Sequence, residues 1–279
     1  MTYLPFVLLL SAVVFSLKDA KRPALALLTL AIISGLALGA LQFVALLSFL
    51  GAGVCVWAGR TANLAKPLQW LALALFLVLC TLMFIHRVPG VSNLLVLDKI
   101  HFSSDSAPFS MYLDFDKTAA ALLIYIFFLS PTQLEMLRLK DIGLTAILLA
   151  GLVAIALPLT ALAGFVHFDA KVPETTWIWA TNNLFFVCFA EEGLFRGLIQ
   201  GGLKDRLGQW PALCLGALLF GAAHFQGGLV YMALACLAGF FYGLAFLKTN
   251  KIQAAILLHF AFNSIHFLLF TYPWLNHPA

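Results

Sequence analysis

Charged side chains are scarce in this sequence, and their scarcity limits what the protein can be. Asp, Glu, Lys and Arg make up 10% of the 279 residues, whereas soluble domains contain about 25%. The 16 basic and 12 acidic residues leave a net charge of +4, which is too small for binding a polyanion through a basic surface. The five cysteines include no Cys-x-x-Cys pair, so they indicate neither a disulfide framework nor a cysteine-based zinc site. A soluble globular enzyme, a disordered chain and a nucleic-acid-binding protein are therefore excluded.

Hydrophobic residues, by contrast, make up 63% of the chain and fall into long apolar runs. A helix that crosses the hydrocarbon core of a bilayer needs about 20 apolar residues. The runs are apolar on all faces, which does not fit the alternating segments of a membrane β-barrel. We therefore predict an all-α, polytopic transmembrane helical bundle with about 8–10 membrane helices and no strands. The predicted helical runs are Leu4–Leu17, Ala24–Ala40, Gln42–Gly59, Leu68–His86, Thr118–Ser130, Ile142–Val166, Thr176–Gly202, Trp210–His224, Gly227–Leu247 and Ile252–Tyr272.

The longest polar stretch between these runs is Arg87–Lys117. We predict a solvated connector there, with one interfacial segment at Val91–Leu97, which is too short to span a bilayer. The alternative is a metal-binding or substrate-gating loop, because the stretch contains four aspartates. These are Asp98, Asp105, Asp114 and Asp116.

Ionisable side chains within the apolar runs are concentrated in the second half of the chain. Charges inside a membrane helix are costly, face the protein interior and usually mark a functional site. The runs of the first half contain almost none, so residues 1–175 are predicted to be N-terminal transmembrane helices that serve as a scaffold or in substrate access. Residues 176–272, the last four helices, are predicted to form the catalytic core. Its polar residues are Glu191, Glu192, Arg196, His224, His259, Asn263 and His266.

The stretch from Glu191 to Arg196 places two carboxylates and a guanidinium in one helical run. On a helix Glu192 and Arg196 are four residues apart and can form an ion pair, whereas Glu191 is rotated by about 100° and points elsewhere. Neighbouring carboxylates with different partners can separate a structural acid from a chemical one. We therefore assign Glu192 and Arg196 to structural support and Glu191 to general acid–base chemistry. The alternative is that both carboxylates are structural or belong to a proton path.

Two further helices carry the other polar residues. His259 and Asn263 are four residues apart and share one helix face, which can bind a metal, donate to an oxyanion or bond to neighbouring helices. His224 ends another run after the small residues Gly221–Ala223, and a lone histidine at such a position is more often an interfacial residue than a catalytic one. Measured from the nearest charged loop residues at about 1.5 Å per residue, Glu191, His224 and His259 can meet at one depth. A base, a group that holds a water, and donors for a developing negative charge fit amide-bond hydrolysis.

The three motifs Glu-Glu-x-x-x-Arg, Phe-x-x-x-His and His-x-x-x-Asn together resemble those of the CAAX protease and bacteriocin-processing family. This family, also called CPBP or Abi, contains intramembrane proteases related to the type II CAAX prenyl endopeptidase. The motifs occur in order, each on its own apolar helix, with 33 residues from Glu191 to His224 and 35 from His224 to His259. The resemblance covers Thr176–Tyr272, and it implies an intramembrane endopeptidase.

By this resemblance, Glu191 and His224 bind and activate the attacking water, and His259 and Asn263 stabilise the oxyanion of the tetrahedral intermediate. An alternative view of the family makes it a metalloprotease, in which Glu191, His224 and His259 bind zinc. Such a site is chemically reasonable, because a catalytic zinc has three protein ligands and one open position. The resemblance favours a site without a cofactor, with zinc as the alternative.

The substrate implied by the resemblance is a membrane-associated or lipidated protein or peptide, and membrane lipid is the other expected partner. The occurrence of the family implies a multi-pass protein of a bacterial inner membrane. Two other classes of function remain open at this stage. An ion-coupled transporter would use the intramembrane Glu, Arg and His residues as a relay, with Asn182 and Asn183 on the path. A non-catalytic immunity or scaffold protein would keep the same residues for stability.

Overall fold

The computed structural model describes residues 3–60 and 63–276 and is largely helical. Helices are favoured because a chain in lipid must satisfy its backbone hydrogen bonds within each spanning segment. Within the described residues the α-helices are α1 Leu4–Leu17, α2 Lys21–Ala37, α3 Ala45–Arg60, α4 Lys66–Phe84, α5 Phe115–Phe128, α6 Leu139–Leu162, α7 Thr176–Asn182, α8 Phe189–Glu192, α9 Gly201–Leu207, α10 Gln209–Ala223, α11 Gly228–Thr249 and α12 Ile252–Leu269.

Four of the described helices are long and apolar enough to cross a membrane, namely α4, α6, α11 with its preceding turn, and α12. Three shorter apolar helices of 10–17 residues, α1, α3 and α10, accompany them. The predicted all-α, polytopic bundle is confirmed, and the chain is a multi-pass membrane protein. Each predicted run is helical, but the run predicted at Thr176–Gly202 is divided among α7, α8, α9 and intervening π-helical turns.

The prediction that the chain has no strands is wrong. Leu94–Ile100 (β1) and Phe109–Leu113 (β2) form a two-stranded sheet within the connector Arg87–Lys117. Residues of β2 alternate between a more buried and an exposed face, with Met111 the most buried, as expected for a half-covered strand. The segment Val91–Leu97 is therefore partly strand, because a short apolar run does not by itself distinguish a strand from an interfacial segment.

One compact unit is built around α5. This helix is buried along most of its length and contacts α1, α2, α3 and α4. Phe115, at its first residue, makes edge-to-face contacts with Phe6 and Phe49, with ring centroids 6.0 and 5.6 Å apart. Apolar packing of this kind holds the unit together. It consists of the described residues within 3–94, 112–129 and 185–190.

The second compact unit contains the helices that carry the three motifs. In it α12 packs against α6 and α11, and α10 packs against α11. Near the end of α12, Trp179 stacks on Phe267 with centroids 4.0 Å apart, and its Nε1 donates to Tyr272 Oη at 3.1 Å. This unit consists of residues 95–111, 130–184 and 191–276.

The start of α12 is fixed by an ion pair rather than by aromatic packing. The N-cap residue Lys251 is 6% exposed, and its Nζ lies 3.1 Å from Asp141 Oδ2 in the first turn of α6. Lys251 Nζ also donates to the Met136 carbonyl at 2.7 Å. Because both ends of α12 are anchored, its central residues His259 and Asn263 are held in a defined position.

Candidate active site

The two adjacent carboxylates lie on a single α-helical turn, α8, between two π-helical segments. These segments are Asn183–Cys188 and Gly193–Gln200. The wider π-helical turns are rare in proteins and occur frequently at functional sites. Glu192 points into the protein and is 0% exposed, whereas Glu191 is half-buried. The local backbone therefore gives the two carboxylates different surroundings.

Glu192 is the centre of a buried ionic cluster that joins two helical segments. Its Oε1 accepts hydrogen bonds from His259 Nδ1 at 2.8 Å and from Arg196 Nη1 at 3.3 Å. Arg196 Nε lies 3.1 Å from Glu192 Oε2, and Arg196 Nη2 donates to the Gly239 carbonyl at 2.6 Å. The three ionisable residues are at most 4% exposed, and charges at such depth are tolerated only when they are paired and hydrogen-bonded.

His224 lies at the C-cap of α10 and is half-buried. Its Nδ1 donates to the Phe220 carbonyl at 2.7 Å, and because a carbonyl only accepts, Nδ1 carries the hydrogen. The Phe220 ring centroid lies 4.7 Å from that of His224 and 5.7 Å from that of His259. The two imidazoles, from separate helices, thus contact the same phenylalanine.

Tyr231, in the first turns of α11, lies beside His224. Its ring centroid lies 5.7 Å from that of His224. Sequence reasoning missed this residue, because a tyrosine in an apolar run is usually a packing aromatic. Its position seven residues after His224 was the one available signal.

Asn263, one turn after His259, donates through Nδ2 to Asn183 Oδ1 at 3.3 Å. Asn183 is 7% exposed and begins the π-helical segment before α8. The polar face of α12 thus contacts the carboxylate-bearing stretch at two places, through His259 and through Asn263. His266 bonds elsewhere, with its Nε2 3.2 Å from the Thr271 carbonyl.

The residues of the alternative zinc site do not assemble a ligand set. A catalytic zinc needs three protein ligands at about 2.0–2.3 Å. Among residues 3–60 and 63–276, no group of three or more His, Cys, Asp or Glu side chains is arranged to hold a metal ion. Glu191, His224 and His259 are therefore not arranged as a zinc ligand set in the described structure.

Comparison with protein-family models gives a match over residues 173–265, to the family described as type II CAAX prenyl endopeptidase Rce1-like. This segment is similar to that family. The Rce1-like segment covers about a third of the chain and contains the Glu192 cluster, His224, Tyr231 and Asn263. The family resemblance of the three motifs is thereby confirmed. No curated protein and no solved structure matches the chain.

Proposed function

We propose that the chain is an intramembrane endopeptidase that hydrolyses a peptide bond of a membrane-associated or lipidated protein or peptide. One observation carries the proposal. The Glu-Glu-x-x-x-Arg and His-x-x-x-Asn motifs of the Rce1-like segment meet through the buried hydrogen bond between Glu192 and His259. This bond joins α12, which carries His259 and Asn263, to the turn that carries Glu191, and it supports a shared role for the two motifs.

The first step of the proposed reaction is attack by water. Glu191 accepts a proton from the water whose oxygen attacks the scissile carbonyl carbon. His224 orients that water through Nε2, since its Nδ1 hydrogen bonds to the Phe220 carbonyl. The substrate carbonyl oxygen becomes the oxyanion of a tetrahedral intermediate, to which His259 and Asn263 donate hydrogen bonds.

The second step is collapse of the intermediate. The carbon–nitrogen bond breaks, and Glu191 returns its proton to the leaving amine. The products are a new carboxyl terminus and a new amino terminus. An amide NH₂ group has two hydrogens, so Asn263 can donate to the oxyanion while it remains bonded to Asn183.

Glu191→Gln tests the proposal, since it removes the base with little change in shape. Loss of a general base costs about 10²–10⁴ in rate, and we expect kcat to fall by at least about 100-fold. The assay uses protein in lipid nanodiscs and two fluorogenic peptides. One ends in a prenylated CAAX sequence, and the other has the same sequence without the prenyl group. Mass spectrometry identifies the bond that is cut. Glu174→Gln, at an exposed position before α7, is the matched control and should retain the wild-type rate.

The two peptides also separate the alternatives. Cleavage of the prenylated peptide alone would identify a lipidated substrate, and cleavage of both would indicate a peptide leader or another membrane-associated chain. A wild-type protein that cuts neither peptide would favour the immunity or scaffold alternative. An unchanged rate in a properly folded Glu191→Gln variant would contradict the role of Glu191. Thermal unfolding and size-exclusion chromatography establish that the variant is folded.

A further inference from the structure

We infer that Glu192 is a positioning residue that determines which nitrogen of His259 carries the hydrogen and where the ring points. The inference rests on the proposed function and extends it, because the motif spacing gives Glu192 only an ion pair with Arg196. Its basis is the hydrogen bond of 2.8 Å between Glu192 Oε1 and His259 Nδ1. The two residues are 67 positions apart in sequence, and they are 0% and 4% exposed.

The carboxylate of Glu192 is held so that it cannot turn away from His259. Arg196 contacts both of its oxygens, at 3.3 and 3.1 Å, and Arg196 is itself anchored to the Gly239 carbonyl. A carboxylate paired with a guanidinium is ionised and acts only as an acceptor. His259 must therefore supply the hydrogen, and it does so from Nδ1.

The imidazole of His259 is fixed on its other sides by aromatic rings. It stacks on Tyr242 with centroids 4.4 Å apart and an interplanar angle of 16°. The Phe220 ring meets it edge-on at 5.7 Å and 81°. The titratable groups in contact with the ring include Glu192 and Tyr242, and the charged Arg196 is bonded to Glu192. With Nδ1 bonded and the ring faces packed, Nε2 is the atom that can reach a substrate.

This arrangement restricts the chemistry of His259. With hydrogen fixed on Nδ1, Nε2 is an acceptor in the neutral ring and a donor only in the imidazolium form. The oxyanion role of His259 therefore requires a doubly protonated ring when the intermediate forms, and Glu192 supplies the opposing charge. In serine proteases a buried aspartate holds the catalytic histidine in the same manner, fixing its tautomer and stabilising its imidazolium.

The direct test is the protonation pattern of His259, which is read without any turnover. Protein labelled with ¹⁵N-histidine in lipid nanodiscs gives the ring signals, and those of His259 are identified by their loss in His259→Asn. We expect hydrogen on Nδ1 of His259 in the wild type. In Glu192→Gln and Glu192→Asp we expect this preference to be lost, giving a mixture of tautomers. Glu192→Asp keeps the charge beside Arg196, so it serves if Glu192→Gln does not fold.

The second test is a double-mutant cycle on peptide cleavage with the same two fluorogenic peptides. Loss of a carboxylate that orients a metal-bound histidine costs about 10–100-fold in activity, and by analogy we expect a fall of that size in kcat for Glu192→Gln. In a His259→Ala background the same substitution should change kcat by no more than about twofold, because Glu192 acts through His259. Glu174→Gln should have no effect in either background.

The outcomes are distinct for the two proposals. Hydrogen on Nε2 alone in the wild type, or ring signals that are unchanged in both Glu192 variants, would overturn the inference. An equal fold loss of kcat in both backgrounds would also overturn it, because it would mean that Glu192 acts independently of His259. Failure to cleave either peptide would contradict the proposed function, while the ¹⁵N signals would still decide the role of Glu192.

Discussion

The two compact units of the chain bury different kinds of side chain. In the described part of the unit built around α5, Asp116 is the one buried Asp, Glu, Lys, Arg or His, and it lies in the first turn of a helix. The other unit buries Glu192, Arg196 and His259 away from the ends of their helical stretches. Burying a charge costs free energy that pairing only partly returns. The comparison indicates that the first unit is stabilised mainly by apolar packing, whereas the second contains a buried cluster of paired charges.

The largest expected effect on stability comes from Arg196→Met, which removes the cation that compensates Glu192. Breaking a buried ion pair from one side costs about 3–5 kcal/mol, because it leaves an uncompensated charge. We expect a loss of that order in the free energy of unfolding, measured with denaturant in detergent micelles. Arg206→Met, at an exposed position of α9, is the matched control and should change stability by less than about 0.5 kcal/mol. A loss below about 1 kcal/mol in Arg196→Met would mean that the cluster adds little to the fold.

Much of the fold follows from the sequence alone, because a long apolar run in lipid has few structural choices. The positions of Glu192 and Arg196, four residues apart, likewise suffice to place the two side chains within reach of each other. The bond between Glu192 and His259 could not be predicted in this way, since it depends on how two helical segments rotate and pack. The family resemblance implied an oxyanion role for His259, and the spacing paired Glu192 with Arg196, but neither gave a reason to join His259 to Glu192.

The strands and the π-helical turns were missed for a different reason. The hairpin of β1 and β2 lies in a connector whose apolar runs are too short to show a clear period. The π-helical turns around α8 have the same apolar composition as the rest of the run, so no residue type in the sequence predicts them. Asn183 illustrates the consequence. In sequence it was only a polar residue on a permeation path, and its contact with Asn263 depends on the tertiary packing.

Asp116→Asn tests the unit built around α5, and its effect on the free energy of unfolding should be smaller than that of Arg196→Met. Asp116 is 1% exposed, and its Oδ1 lies 3.0 Å from His86 Nδ1 and 3.1 Å from Asn93 Nδ2. Weakening a buried, charge-assisted hydrogen bond costs about 1–3 kcal/mol, and we expect a loss of that size in the free energy of unfolding. Peptide cleavage at saturating substrate should stay within about twofold of wild type, since this carboxylate has no proposed part in the reaction. Asp98→Asn, at an exposed position of β1, is the control.

A fall in kcat for Asp116→Asn as large as that expected for Glu191→Gln would contradict the proposal that only the second unit carries the catalytic residues. It would mean that the first unit contributes directly to catalysis. An Asp116→Asn variant that is less stable but keeps the wild-type kcat would support that proposal. It would show that Asp116 stabilises the fold without a part in the reaction proposed for Glu191.

The smallest effect on stability is expected from His167→Asn. This substitution tests whether burial determines how much a histidine–carboxylate pair contributes to the free energy of unfolding. His167 Nε2 lies 2.6 Å from Asp105 Oδ2, closer than His259 lies to Glu192, but the two side chains are 49% and 48% exposed. The hydrogen bond to Asp105 raises the pKa of His167, so the pair stabilises the fold below the ordinary histidine pKa of about 6.5. That stabilisation is lost as the pH rises through the raised pKa.

An exposed ion pair contributes about 0–1 kcal/mol. We therefore expect His167→Asn to lower the unfolding temperature slightly at pH 5.5 and hardly at all at a pH well above the raised pKa, when both proteins are measured in detergent micelles. His101→Asn is the control, since His101 bonds to the Ser106 carbonyl rather than to a carboxylate. If His167→Asn cost as much as Arg196→Met at every pH, burial would not be the deciding variable, because an exposed pair would then equal a buried one. If His167→Asn has little or no effect on stability, the difference between the exposed His167–Asp105 pair and the buried His259–Glu192 pair is explained by desolvation, since the Glu192 cluster is buried.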